Sequence, residues 1–428
     1  MTETRRVTTA KRPIAARVRP PGSKSETIRA LTAATLARGR SRLHGALRAE
    51  DSAAMIGVAR ALGAGVDNSS DPWVVDGTGG RLTARAAPLD ASESGLTARI
   101  ALVLAALAEG TSVIEGRGRL RVRPIGPLVE ALRAQGAAVA TTDGGLPATV
   151  TGRGGLSGGR VRVDSSKSSQ FATALMLGAP LAAAPTRLRL EGLCGSAGYL
   201  KVTARVMEAF GAGVALVGGA VVGYDVADNG YRPADHVIEP DASAAVYPLV
   251  AAAVTGGTVE ICGLRADSEQ PDVGVARRLS AMGCRVGEGE AGLTLDARGV
   301  DLDPIDADMS DAPDGALALA TACCFARGES RLSGLSSLRH KESDRLAALS
   351  RELSRLGAGA SVVGDGLLIR PGAMRGATAA THGDHRIAMS CALVGLVVEG
   401  VEIAEPEVVN KTWPGYWDML AEIAASRR

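Results

Sequence analysis

The sequence predicts an α/β protein made of six copies of one unit, grouped as two pseudo-threefold domains. Three observations point there. Apolar, Ala-rich stretches of helical length begin near Lys24, Gly95, Ser169, Ser243, Asp314 and His385, about 71 to 74 residues apart. A fixed period of this kind marks a repeat architecture. A second helical series lies between them, reading MIGVARALG, LVEALRAQG, VTARVMEAFG, VGVARRLSAMG, LSRELSRLG and YWDMLAEI. Finally, 46% of the 428 residues are apolar but only 3% are aromatic, so Ala, Val and Leu must build the core. A chain of this length is too long for one ordinary core. Six units divide naturally into two sets of three, and a period longer than that of common solenoids favours closed domains.

Each element has its own signals. The first five helices of the second series close on Gly63, Gly136, Gly211, Gly283 and Gly357, the residue type that ends helices in the left-handed conformation. Short β-like runs follow, such as Ala137 to Val139 and Cys284 to Val286. In the first series, four stretches are expected to stop at Gly39, Gly110, Gly328 and Gly400. The fourth runs into Gly256 and Gly257, and the third into Gly178-Ala-Pro180.

Composition excludes several function classes. Net charge is +2, with both signs mixed along the chain, which argues against the basic face that nucleic-acid binding needs. The longest apolar run, Ile100 to Ala108, is about half of the roughly 20 residues that a membrane span needs. The N-terminus is polar and basic, without the apolar core of a secretory leader, and a cytoplasmic location is expected. Six scattered cysteines, Cys194, Cys262, Cys284, Cys323, Cys324 and Cys391, form no C-x-x-C pair and read as reduced, buried side chains. His382 and His385 are spaced for metal but lack an obvious third ligand, so no metal is expected.

The helix starts of the first series carry the functional information. A helix N-terminus presents unpaired N–H groups and a partial positive charge, which suits anions. Ser and Asp there are also ordinary caps, so six caps and nothing more is the plain alternative. Lys24, Gln170, His385 and Arg386 at these starts exceed what capping requires.

Eight motifs then occur in order over nearly the whole chain. They are Pro21-Gly-Ser-Lys-Ser25 with Arg29, Arg123-Pro-Ile-Gly126, Ser168-Ser-Gln-Phe171, Ser196 with Tyr199, Ser310-Asp-Ala-Pro-Asp314, Lys341-Glu-Ser-Asp-Arg345, Asp384-His-Arg-Ile-Ala-Met389 and Lys411-Thr-Trp-Pro414. The first is not a nucleotide P-loop, because Ser23 stands before Lys24 where that motif needs Gly. Together they resemble the EPSP synthases of the enolpyruvyl transferase family. The resemblance implies an inside-out α/β barrel fold: two domains, each of three βαβαββ units, with helices packed inside. It places the N-terminal domain at residues 21–238 and the other at 1–20 plus 239–428, with the active site in the cleft between them.

The implied reaction moves the enolpyruvyl group of phosphoenolpyruvate to the 5-hydroxyl of shikimate 3-phosphate by addition and elimination, releasing phosphate. It implies no cofactor and no metal. By family position, Lys24, Gly95, Arg123, Gln170, Arg345, Arg386 and Lys411 bind phosphoenolpyruvate. Arg suits this task because its planar fork matches carboxylate and phosphate. Lys24, Ser25, Arg29, Ser168, Ser169, Gln170, Ser196, Tyr199, Asp314, Ser337 and Lys341 bind shikimate 3-phosphate. Addition needs one proton removed from the acceptor hydroxyl and one delivered to the donor. Asp314 and Glu342 are the candidate base and acid, with Lys24 and His385 able to assist. A monomer is expected. Glu93-Ser-Gly-Leu96, Ile28 and Ser337 depart from the family pattern, and Arg99 is the expected partner of Glu93 on one helix. The alternatives are a paralogue acting on another phosphorylated cyclic alcohol and a non-catalytic anion binder; a retained proton-transfer pair argues against the binder.

Overall fold

A computed structural model describes residues 3–11, 13–84, 87–192, 197–218 and 222–426. The chain divides into two compact units, Gly22–Glu239 and Met1–Pro21 with Pro240–Arg428.

Among the described residues the first unit holds six α-helices: α1 (Lys24–Leu36), α2 (Glu50–Ala61), α3 (Gly95–Leu107), α4 (Gly126–Ala134), α5 (Gln170–Gly178) and α6 (Gly198–Ala209). Three four-stranded sheets accompany them. One repeat shows the plan. Strand Leu89–Asp90 leads through α3 to Glu109–Glu115, and the two pair in parallel. Then α4 leads to the hairpin Ala138–Thr142 and Gly145–Arg153, whose second strand pairs antiparallel with Glu109–Glu115. This is a βαβαββ unit. Gly159–Asp164, α5, Thr186–Glu191, α6, Val214–Val217 and Gly223–Val226 repeat it. The remaining repeat begins at α1, and its missing first strand is supplied by Asp235–Val237, which pairs in parallel with Arg40–His44.

The second unit holds α7 (Ala242–Thr255), α8 (Gly274–Ala281), α9 (Ala316–Cys323), α10 (Arg345–Arg355), α11 (His385–Gly395) and α12 (Tyr416–Ala425). Its first sheet takes Ala15–Val18 as the parallel partner of Thr258–Cys262. Its middle sheet, from Asp306–Asp308 to Gly366–Arg370, is built entirely from its own repeat. The last repeat follows α11 with Glu402–Ala404 and α12. Thr4–Arg6 from the N-terminus takes the antiparallel place beside Glu402–Ala404.

The two helix series differ because their surroundings differ. All thirteen residues of α3, all eight of α9 and all eleven of α11 are buried. A helix apolar on every face belongs in a core. Accordingly α1, α3 and α5 pack on one another, as do α7, α9 and α11, with the sheets outside them. Small residues permit this: a Cβ at Gly178 of α5 would lie 2.4 Å from Val103 Cγ1 of α3. The second series is amphipathic. α10 buries Arg345, Leu346, Leu349, Glu352 and Leu353, a helical spacing.

Helix ends follow the same division. Gly63, Gly136, Gly211, Gly283 and Gly357 have φ of 108°, 94°, 79°, 102° and 104°, and each stands two residues past its helix. The first series departs from expectation. α1, α3 and α9 end at Leu36, Leu107 and Cys323, before Gly39, Gly110 and Gly328, and α11 ends at Gly395, before Gly400. The caps Ala37 and Ala108 are already extended, because the chain leaves the core straight toward the next strand. Gly256 alone of this series caps its helix in the left-handed region, at φ 65°.

Among the described residues no helix is long and apolar enough to cross a membrane. Cys284, Cys323, Cys324 and Cys391 are buried thiols and Cys262 is half-buried; Cys194 lies outside the described residues. Burial pushes Cys284 up to about 11 and Cys323 up to about 12, which keeps both protonated and unreactive.

Candidate active site

The expected site residues fall into two groups, one in each unit. In Gly22–Glu239, Ser23 caps α1, its hydroxyl accepting from the Glu26 N–H at 3.4 Å. This sets Lys24 and Ser25 on the first turn. Lys24 Nζ lies 3.3 Å from Asp51 of α2. The Asp51 carbonyl accepts from Thr97 of α3, and Ser94 and Thr97 share a hydrogen bond at 2.9 Å. A chain of contacts thus joins the first turns of α1, α2 and α3. Gly95 opens α3 directly against Arg123, and a Cβ there would lie 2.7 Å from the guanidinium. A larger residue there would push the guanidinium aside. Arg99 is buried and donates to the Gly95 and Pro124 carbonyls at 3.0 and 2.8 Å, bracing the same turn.

Arg29 joins the rest. It donates to the Ser25 carbonyl at 2.8 Å, Thr203 at 2.8 Å, Thr173 at 3.2 Å and the Tyr199 carbonyl at 3.4 Å, and its guanidinium lies 5.8 Å from the Tyr199 ring centre. Burial pushes its pKa down to about 10, so it stays cationic at neutral pH. It therefore ties α1, α5 and α6 together beneath Ser25 and Tyr199. Ser169 is buried at the start of α5, and the Ser168 hydroxyl accepts from the Gln170 N–H at 3.2 Å. Gln170 Oε1 and Arg123 Nε are buried without a hydrogen-bond partner among the described residues. Such atoms cost on the order of 1–3 kcal/mol each, a cost that a bound anion with its own donors and acceptors can offset. Ile28 is fully buried in the core, so its departure from the family pattern concerns packing. Ser196 lies outside the described residues.

In the second unit the organising group is Arg345, the first residue of α10, which is 1% exposed. Its Nε and Nη2 grip Asp384 at 2.8 and 3.1 Å, Nη1 meets Asp314 at 2.8 Å, and Nη2 also meets Glu342 at 2.9 Å. Burial opposes this charge, but Asp384, Glu342 and Asp314 outweigh it and hold the guanidinium above its ordinary pKa. Asp314 further faces Lys341 at 3.5 Å and Arg386 at 3.6 Å. Asp384 caps α11 through the Arg386 N–H and accepts from Ser343 at 3.0 Å. His385 is buried with Nδ1 3.7 Å from Asp384. Arg386 reaches the Tyr247 hydroxyl at 3.4 Å, which burial pushes up to about 12. Lys411 is buried at the end of the 3-10 helix Pro406–Lys411, which packs on α11. Ser337 is half-buried on the 3-10 helix Ser336–His340 and, among the described residues, stands apart from this hydrogen-bonded group.

The candidate acid and base are therefore bonded to one guanidinium, with two further cations on Asp314. The group gathers three cations and three carboxylates, and such clusters of interacting titratable groups are where protons can be exchanged. Among the described residues no group of three or more His, Cys, Asp and Glu is arranged to hold a metal ion. Sequence reasoning missed Asp51 and Tyr247 as members of these clusters. Asp384 was visible as part of a motif, but its grip on Arg345 was not.

The family model described as EPSP synthase (3-phosphoshikimate 1-carboxyvinyltransferase) matches residues 8–420. The chain belongs to the EPSP synthase family. It is 38% identical over 420 residues to the 3-phosphoshikimate 1-carboxyvinyltransferase of Pseudomonas savastanoi pv. phaseolicola, covering 96% of each chain. It is 39% identical over 423 residues to that of Rhizobium leguminosarum bv. trifolii, covering 97% of this chain and 96% of the relative. The 3-phosphoshikimate 1-carboxyvinyltransferase of Methanoculleus marisnigri is 39% identical over 415 residues, 95% of this chain and 96% of its own. A solved EPSP synthase from Acinetobacter baumannii superposes with a TM-score of 0.81 at 26% identity, covering 99% of this chain and 98% of that one. The fold is the inside-out α/β fold of that family.

Proposed function

We propose that this enzyme transfers the enolpyruvyl group of phosphoenolpyruvate to the 5-hydroxyl of shikimate 3-phosphate, releasing phosphate through a tetrahedral intermediate. The observation that carries the reading is the shared guanidinium. Arg345 holds Asp314 and Glu342 at 2.8 and 2.9 Å, which an anion-binding module would not need and a proton-transferring addition would.

Asp314 acts as the base toward the acceptor hydroxyl, and Glu342 as the acid that protonates the donor methylene and later takes the proton back. Lys24 and His385 stabilise charge that develops during both steps. Lys24, Gly95, Arg123, Gln170, Arg345, Arg386 and Lys411 receive the donor. Ser25, Arg29, Ser168, Ser169, Ser196, Tyr199, Ser337 and Lys341 receive the acceptor together with Lys24, Gln170 and Asp314. Arg29 supports Ser25 and Tyr199 from below as well as supplying charge. The partly exposed polar groups of Lys24, Ser25, Ser168 and Tyr199 support this assignment. Both residue clusters serve the one reaction, in a cytoplasmic monomer.

The test is phosphate release from phosphoenolpyruvate in EDTA, with and without shikimate 3-phosphate. Release that requires shikimate 3-phosphate and survives the chelator is expected. Folded protein that binds phosphoenolpyruvate but releases no phosphate would transfer the reading to a paralogue with another acceptor.

A further inference from the structure

The buried helices of the second unit are capped in two different ways. α7 is capped by its own Asp241, which accepts the Ala244 N–H at 2.9 Å. α11 is capped by its own Asp384, which accepts the Arg386 N–H at 3.0 Å. The N-cap of α9 is Gly315, which has no side chain to offer. Its N–H donates instead to Asp272 Oδ1 at 3.1 Å, a carboxylate brought in by the 3-10 helix Pro271–Val273. A Cβ at residue 315 would lie 2.5 Å from Val275 Cγ2 and 3.2 Å from that oxygen, so glycine is what lets the backbone approach. The second oxygen of Asp272 accepts from the Ser243 hydroxyl on the first turn of α7. Asp272 is 1% exposed. Burial and the nearby Asp314 hold its carboxyl above the ordinary range.

The consequence falls on the neighbour of Gly315. Asp314 stands at a helix start where an aspartate ordinarily caps. Its carboxylate instead faces Arg345, Lys341 and Arg386. We infer that Asp272 is a positioning residue for the reaction: it caps α9 in place of a local side chain, fixes the Asp314–Gly315 turn and so aims the Asp314 carboxylate at the cation cluster. This rests on the transferase reading, in which Asp314 moves a proton.

The experiment compares kcat, both KM values and the melting temperature of the whole enzyme with those of Asp272→Ala, Asp272→Asn and Ser243→Ala. A misaimed reacting group costs about 100-fold in rate. In Asp272→Ala, kcat per folded molecule should therefore fall about 100-fold, with both KM values within about threefold of the original. Asn can still accept from the Gly315 N–H, so Asp272→Asn should recover kcat to within about tenfold. Should Asp272→Ala fail to fold, Ser243→Ala removes one of the two contacts and should lower kcat about tenfold at constant KM. A lower melting temperature with kcat unchanged in the folded variants would make Asp272 a stabilising cap only, and overturn the inference. An original enzyme that turns over nothing with shikimate 3-phosphate would remove the transferase reading, and this inference with it.

Discussion

An arginine sealed from solvent needs its donors bonded or its charge matched, and Arg345 is matched by three carboxylates. Breaking a buried ion pair leaves uncompensated charge and costs on the order of 3–5 kcal/mol. Arg345→Ala, which takes the shared guanidinium away from Asp384, Asp314 and Glu342, should therefore lower stability by about that amount as well as abolish turnover. Equilibrium denaturation would show it, and an unchanged midpoint would contradict the central role given to this residue. Lys411 is also buried, but its proposed duty is to the donor phosphate. Lys411→Ala should raise the donor KM roughly ten- to hundredfold, the 1.5–3 kcal/mol of a charged hydrogen bond, and leave the acceptor KM nearly as it was. Steady-state kinetics with each substrate varied in turn would decide, and equal effects on both would count against the assignment. The residue types at these positions were legible in the motifs. Their pairing was not, because Arg345 meets Asp314 and Asp384 across 31 and 39 residues of chain.

Among the elements, the amphipathic helices were the easiest to bound. Gly283 follows α8 at φ 102°, where a side chain is strained by roughly 1–2 kcal/mol. Gly57 lies exposed inside α2, and a Cβ there would meet nothing within 4 Å. Gly283→Ala should thus destabilise by about 1–2 kcal/mol, while Gly57→Ala should stabilise by about 0.5–1 kcal/mol. Thermal or chemical denaturation of the pair checks both signs at once. The buried helices were placed well at their starts and poorly at their ends. Their first turns carry chemistry that sequence shows, such as Lys24, Gly95 and His385. Their last turns run among Ala and Leu that look alike inside a helix and just beyond it, so Gly39 and Gly110 were mistaken for stops.

At the scale of the whole molecule, the N-terminus belongs with the C-terminal half. Thr4–Arg6 and Ala15–Val18 complete two sheets whose other strands come after residue 257. The unit Gly22–Glu239 instead finds every strand of its three sheets within itself. A fragment of residues 22–239 should fold alone, whereas 240–428 should be protease-sensitive until residues 1–21 are supplied as a peptide. Circular dichroism and limited proteolysis would test this, and a 240–428 fragment already protected without the peptide would sink it.

The sequence by itself determined the repeat, the two helix series, the residue types at the helix starts and the family. These are local or periodic properties, written in spacing and side-chain chemistry. Tertiary structure alone decided which sheets the strands near the N-terminus and at residues 235–237 complete, and in which direction they pair. It also decided that one guanidinium joins the two proton-transfer candidates, and that Asp272 caps a helix that lacks a cap of its own. Each of these depends on which backbone and side-chain groups meet across long stretches of chain once the small-residue helices have packed. Spacing along one sequence does not encode such meetings.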